Sequence, residues 1–323
     1  MTITETLRKR FVKDTNLPIK ILVEPYFSHL LNLYEDQYQS KTKYDNFVKT
    51  LDDFKDEQGF LTICRNVRDK VISYLENNET LRYFSQEEDM QRFSVSCNYP
   101  TNHIYKQPDI GRHFLSIDMV KANFTALHHY SPKIFDGKDS YEDFIGMFTD
   151  LDYIKSSKYI RQVIFGNRCP KRQVTYEKYL MSLVLSNVLK ETIISDKNVV
   201  YFNTDEIVFD ITDIIENNKI NTLIPQIETA VNNANGQNIK VRAEYFELYK
   251  ITNISGYMKK FEYVSENKGV CFKCVSADDM PLAIRAYKNE PVVDNDLVFV
   301  NVNNHRLAKW LEIPDVKIVN KIE

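Results

Sequence analysis

Glycine is scarce in this chain, with 8 residues among 323, and the two signs of charge nearly cancel at a net −3. The first scarcity removes the glycine-rich phosphate cradles. No G-x-x-x-x-G-K-[ST] loop occurs, and neither does G-x-S-x-G or H-E-x-x-H. P-loop NTPase, serine-hydrolase and zincin chemistry therefore lack their motifs. The charge balance means that a nucleic-acid partner would be held by local basic patches rather than by bulk positive charge. Long apolar runs are missing as well, so no membrane span is expected. Residues 1–11 carry no apolar core of a secretory signal.

Cysteine is also sparse, and its count of 5 is odd (Cys64, Cys97, Cys169, Cys271, Cys274). An odd set predicts free thiols and a cytoplasmic protein. Cys271 and Cys274 have C-x-x-C spacing but no second pair, so they read as two strand cysteines rather than a zinc site. What the chain has in quantity is Tyr (20) and Phe (19), with much Asn, Lys and Ile. That mixture is typical of AT-rich coding sequence, as in many phages, viruses and low-GC bacteria. For such a source the cytoplasm in question would be that of an infected host cell.

The pattern of apolar residues predicts an α+β protein in three parts: a helical region over residues 1–92, a catalytic core over 93–265 and a C-terminal region over 266–323. Tyr26, Phe27, Leu30, Leu31, Leu33 and Tyr34 recur at helical spacing, as do Leu61, Ile63, Val67, Val71, Ile72 and Leu75. Arg65, Arg68 and Lys70 on the second of these read as a solvated face. From residue 93 the pattern turns to short β-like pieces. Ser140 reads as the N-cap of a helix with Tyr141, Phe144, Ile145 and Phe148 on its apolar face. Further helices are expected from residue 157 to about 166 and from 176 to about 192. Residues 198–211 read as a β-hairpin with the polar tip Asn203-Thr204-Asp205-Glu206. A helix over 223–232, an Asn235-Gly236 turn, strands over 241–251 and 256–264, further β pieces at 270–275 and 297–301, and a short helix at 305–311 complete the reading.

Three of these stretches point to one chemistry. The apolar run Phe114-Leu115-Ser116-Ile117 delivers the carboxylate of Asp118 at its end, and the hairpin tip delivers Asp205 and Glu206. A strand, intervening helices and an antiparallel hairpin place such acids side by side on one sheet. Two carboxylates meeting there suit a pair of Mg²⁺ ions ~4 Å apart, held by Asp118 and Asp205 with Glu206 beside them. Between the acids, Lys158, Arg161, Gln162 and Phe165 fall on one helical face: charge for the phosphates of a nucleoside triphosphate, a flat ring for sugar or base. Arg168, Lys171 and Arg172 follow and extend the positive surface toward nucleic acid. His128 and His129 lack companion ligands and read as a loop or core pair.

In this order the motifs resemble the palm and finger helix of template-directed polymerases, most of all the family B DNA polymerases. That family's finger motif, Lys-x-x-x-Asn-Ser-x-Tyr-Gly, is matched by the stretch from Lys158 to Gly166, with Lys and Gly kept. Its hairpin motif, Tyr-x-Asp-Thr-Asp-Ser, is matched by Tyr201 to Glu206, with Asn203 in place of the first aspartate. Of its Asp-x-x-Ser-Leu-Tyr-Pro motif only Asp118 is kept. The resemblance covers residues 110 to 265, without the acidic set of a proofreading exonuclease. It implies a palm-like antiparallel sheet with helical fingers, a thumb-like C-terminal region, Mg²⁺ as cofactor, and nucleoside triphosphates and primer-template nucleic acid as partners. It implies further that Lys259-Lys260 grip the primer-template backbone and that the fifth residue after Asp118, here Asn123, faces the sugar where the family has an aromatic ring. Two other readings stay open: a priming or template-independent nucleotidyltransferase on the same palm, and a non-catalytic viral or phage nucleic-acid-binding or assembly protein that keeps a degenerate palm.

Overall fold

An apolar strand whose neighbours on both sides are also apolar is driven to the middle of a sheet, and residues 113–119 are such a strand. The computed structural model describes residues 2–86, 90–166, 170–263, 269–301, 303 and 305–321. Its main sheet is built from β1 (His113–Met119), β2 (Val199–Asn203), β3 (Glu206–Asp210), β4 (Val241–Ile251), β5 (Tyr257–Phe261) and β6 (Val270–Lys273), in the spatial order β2-β3-β1-β4-β5-β6. Every neighbouring pair is antiparallel. A short β7 (Val298–Val300) and β8 (Leu307–Lys309) form a separate hairpin, and β9 (Ile318–Val319) pairs with the end of β4.

The first four strands and the helices between them follow the split β-α-β-β-α-β plan, with β1 central between β3 and β4. The crossover from β1 to β2 contains the helix Pro170–Glu191, and that from β3 to β4 the helix Ile220–Gly236. These two helices pack on each other. Their buried stripes (Tyr176, Leu180, Met181, Val184; Leu223, Ile227, Ala230, Ala234) share one core with Leu115, Ile117, Ile207, Phe209 and Tyr245 of the sheet. The α+β architecture with an antiparallel sheet is thus as the sequence predicts.

The N-terminal part is helical throughout its regular elements. Its longest helix, Glu57–Glu76, is capped by Asp56, which accepts from the Gly59 amide at 2.8 Å, and buries Phe60, Cys64, Val67, Val71 and Leu75 at helical spacing. These side chains join the same core as the sheet. The chain after residue 266 returns to the sheet as well, through β6 at its edge and β9 beside β4.

Two local expectations change. Asn235 and Gly236 end a helix rather than form a hairpin turn, and Asn235 Oδ1 accepts from the Val241 amide at 3.0 Å, steering the chain into β4. Residues 305–311 are extended: β8 pairs with β7, and the Trp310 amide donates to the Leu297 carbonyl, so cross-strand bonds replace the expected helix.

Candidate active site

The register of the central strands builds the site. Asp118 lies directly opposite Glu206 on β3 and directly opposite Arg242 on β4. Side chains of opposed residues point to the same face, so these three groups meet on the face away from the two long helices. One pleat back on that face, Ser116 opposes Glu244. The hairpin turns tightly, with Thr204 and Asp205 alone between β2 and β3, and the Asp205 carbonyl accepts from the Met119 amide at 2.8 Å. That bond ties the hairpin tip to the end of β1, so Asp205 stands beside the Asp118 layer.

Fixed ion pairs run across this face. Arg242 Nη2 is 3.2 Å from Asp118 Oδ2, and its Nε is 3.2 Å from Glu244 Oε1. Lys259, on β5, lies 3.7 Å from Glu206 Oε1 and 3.9 Å from Glu244 Oε2, with its ammonium 4.3 Å from the Phe246 ring centre. Ser116 Oγ donates to Glu206 Oε1 at 2.6 Å. The groups line a cleft of about 310 Å³, with Lys273 of β6 on one wall and Gln37 and Tyr38 from the N-terminal part on another. The inner end of the same face is apolar: Phe114, Tyr201, Val208, Phe246 and Leu248 pack with Ile104.

Crowding of carboxylates shows in their proton affinities. Partial burial, then the charge of Glu206, pushes the Asp118 carboxyl up to about 6 against the pull of Arg242, with Asp205 and Glu244 adding smaller upward pushes. The Asp205 carboxyl is raised too, chiefly by desolvation on its inner side. Burial lowers the Lys259 ammonium, and Glu206 and Glu244 oppose that shift. Beneath the hairpin, Glu177 of the helix Pro170–Glu191 is buried, and burial followed by the charge of Asp205 pushes its carboxyl up to about 7.

Among the described residues no group of three or more His, Cys, Asp or Glu side chains is arranged to hold a metal ion. Mg²⁺ commonly takes only one or two protein carboxylates and completes its shell with water and substrate phosphate oxygens. The donors at this site fit that habit. Asp118 and Asp205 are oxygen donors on adjoining chain segments, and Asp118 is bonded through Oδ2 only among the described residues. Their raised proton affinities mark a place where added positive charge is favoured.

The other residues expected from the sequence divide. Lys158 and Arg161 lie on the helix Lys158–Gly166. The Lys158 ammonium is lowered by partial burial, then by Arg161 and Lys273; its side chain lines a separate cavity, and neither Lys158 nor Arg161 is among the residues lining the acidic cleft. Arg161 lies over the Tyr141 ring at 5.7 Å. Gln162 is exposed, whereas Phe165 is buried against the rings of Phe135 and Tyr141, on the core side of the same helix. Asn123 is half-buried in the first turn of the helix Ala122–Tyr130, after Lys121 in the left-handed region (φ 49°). Lys259 and Lys260 fall on opposite faces of β5. The first is buried in the acidic network, and the second is exposed with its ammonium 5.9 Å from the Tyr249 ring centre. Lys171 and Arg172 begin the helix Pro170–Glu191, Lys171 exposed and Arg172 half-buried; Arg168 lies outside the described residues. His128 is in the core, stacked on Phe124 and Phe135.

Arg242, Glu244, Ser116 and Glu177 were not anticipated. The signal for the first two was in the alternation at the start of residues 241–251, where Arg242 and Glu244 share one face and Val241, Ala243 and Tyr245 the other. Their partner, however, is set by register. Comparison of the chain with protein-family models, with curated proteins and with solved structures yields no match.

Proposed function

We propose that this protein is a Mg²⁺-dependent nucleotidyltransferase that extends a nucleic-acid 3′ end on a template, using the acidic end of a palm-like sheet. The observation that carries the reading is the register: Asp118 at the end of the central strand faces Glu206, and the hairpin tip with Asp205 is bonded to Met119. Carboxylates from two distant stretches of sequence are thereby gathered at one end of the sheet, near the Lys273 cation, the kind of grouping that phosphoryl transfer needs.

In this reading Asp118 and Asp205 hold Mg²⁺, which when bound stabilises charge on the phosphoryl oxygens and activates the attacking hydroxyl. Ser116 and Lys259 hold Glu206 through Oε1 and keep it from turning away. Lys273 in the cleft wall supplies positive charge for a triphosphate, and Lys158 and Arg161, outside the lining, add to its field. The exposed Lys260 and Lys171, with the half-buried Arg172 next to Lys171, are candidates for the primer-template backbone, where cations position without reading sequence.

One observation favours a second reading, a non-catalytic palm that binds nucleic acid. Arg242 and Lys259 already neutralise Asp118 and Glu206 from within the chain, and Asn203 stands where the family resemblance puts an acid. Extension of a labelled primer with Mg²⁺ separates the readings. Template-dependent extension that is lost in Asp118→Asn and Asp205→Asn supports the polymerase. Equal extension without template supports the priming or terminal-transfer reading. No extension, with nucleic acid still bound, supports the non-catalytic one.

A further inference from the structure

On the N-terminal side of the basic helix lies a second cavity, of about 560 Å³, within the size range of small-molecule sites. Its residues come from three regions: Asp14 and Thr15 at the end of the first helix, Lys43, Asn46 and Thr50 on the helix Ser40–Leu51, and residues 152, 153 and 156–158 leading into the helix Lys158–Gly166. All of them are polar or tyrosine. The floor is a finished network. Asp14 is buried and accepts from Arg10 Nε at 2.6 Å, Tyr153 OH at 2.8 Å and Ser157 Oγ at 2.5 Å.

Charge accounting around this cavity decides what it would take. Its two acids are already matched by cations outside the lining, Asp14 by Arg10 and Asp152 by Lys155 at 3.0 Å. The two lining cations are not so matched. Lys43 donates to the neutral Tyr38 carbonyl at 2.7 Å and feels the Glu35 charge without an ion pair, and among the described residues no acid pairs with Lys158. Lys158 is moreover destabilised as an ammonium, first by partial burial and then by Arg161 and Lys273. Cations that raise one another's energy mark a place where an anion gains. The Thr15, Thr50 and Ser156 hydroxyls donate to the carbonyls of Phe11, Asn46 and Tyr153 and keep acceptor lone pairs for the hydroxyls of a sugar-bearing ligand, and Asn46 adds a side-chain amide.

We infer that this cavity is a binding site for a phosphorylated small molecule of nucleotide size, held between Lys43 and Lys158 and separate from the acidic cleft. The inference stands whether or not the cleft is catalytic. Lys158 lines this cavity and not the acidic cleft, which has Lys273 in its wall instead.

The test is calorimetric titration of the full chain with ATP, with tripolyphosphate and with adenosine, in EDTA so that no divalent ion bridges ligand and carboxylates. ATP and tripolyphosphate are expected to bind and adenosine not to. Lys43→Gln is expected to weaken both by about tenfold, the worth of one charge-assisted hydrogen bond. Asn46→Asp, on an exposed position that leaves the fold intact, is expected to weaken them by placing a negative charge on the rim. Asp118→Asn is expected to leave binding unchanged, because its carboxylate is in the other cleft. Absence of ATP binding in the wild type overturns the inference, and so does binding that neither Lys43→Gln nor Asn46→Asp weakens.

Discussion

The Arg242 guanidinium lies 3.2 Å from the Asp118 carboxylate, on the strand position directly opposite it, so a cation of the chain itself occupies the group that a metal would use. Both side chains are about one-third exposed (34% and 33%), and an exposed pair of this kind contributes no more than ~1 kcal/mol. In the proposed reaction a divalent ion held by Asp118 would therefore have only this weak pair to displace. Arg242→Gln is expected to tighten Mn²⁺ binding by about fivefold, the equivalent of that ion pair, read by electron paramagnetic resonance of the free ion. Unchanged affinity in this variant would remove Asp118 from the set of metal-holding groups.

Glu177 gives the pH dependence with the clearest sign. Its carboxyl is raised from 4.5 to about 7 by burial and by Asp205. A carboxyl raised on folding must either stay protonated or ionise at a cost. The wild type therefore loses stability as pH rises from about 4.5 through about 7, and is unaffected below that window. Glu177→Gln removes the titration and is expected to be more stable than wild type by roughly 2–3 kcal/mol at about pH 8, with little difference near pH 4. Urea denaturation at both pH values measures it. A difference that does not grow with pH would mean that Glu177 ionises freely in the folded protein.

The two adjacent lysines of β5 are expected to behave unlike each other. Lys259 is buried between Glu206 and Glu244, so its removal leaves the half-buried Glu206 without this cation and takes one cation from the buried Glu244, which keeps Arg242. Lys259→Ala should cost ~3–5 kcal/mol of stability, whereas Lys260→Ala, at an exposed position, should stay within about 0.5 kcal/mol. Binding of duplex nucleic acid should show the opposite ranking among folded variants. Loss of Lys260 flattens the salt dependence by about one phosphate contact. If Lys260→Ala leaves the salt slope untouched, the outer face of β5 does not meet the backbone.

The contrast between these lysines shows what the sequence made legible. Period-two alternation located β4, and two apolar runs around a polar tip located the hairpin that carries Asp205; the strands of that hairpin are buried on both faces. Helical periodicity likewise located the stretches with a continuous buried stripe. What alternation along one strand cannot carry is its register against another. The resemblance placed Lys259 and Lys260 together on the duplex, yet neighbouring residues of a strand point to opposite faces, and pairing with β4 sends Lys259 inward. Arg242 and Glu244 escaped for the same reason, since nothing local says that they face Asp118. Phe165 shares a helical face with Arg161 by spacing, but its burial is set by Phe135 and Tyr141, which lie in other elements.

In the proposed reaction sugar choice turns on Asn123 and Phe124, in the helix after the Asp118 strand, and their surroundings differ. Phe124 is fixed in the core, with ring centres 4.4 Å from Phe135 and 5.5 Å from His128, and cannot turn toward the cleft without opening a void behind it. Asn123, half-buried one residue earlier, is the side chain left for the ribose if the proposed nucleotide position holds. An amide accommodates and hydrogen-bonds a 2′-hydroxyl that an aromatic ring would exclude. The wild type is therefore expected to discriminate weakly between ribo- and deoxynucleotides. Asn123→Tyr should gain roughly tenfold or more against ribonucleotides, since one lost hydrogen bond to a buried group costs about 1–3 kcal/mol. Phe124→Leu should instead lower stability by ~1–3 kcal/mol through the cavity it leaves, with the sugar ratio unchanged. Competing incorporation of the two sugars by the three proteins measures this directly. Admission of ribonucleotides only after Phe124→Leu would make Phe124 the gate and remove Asn123 from the site.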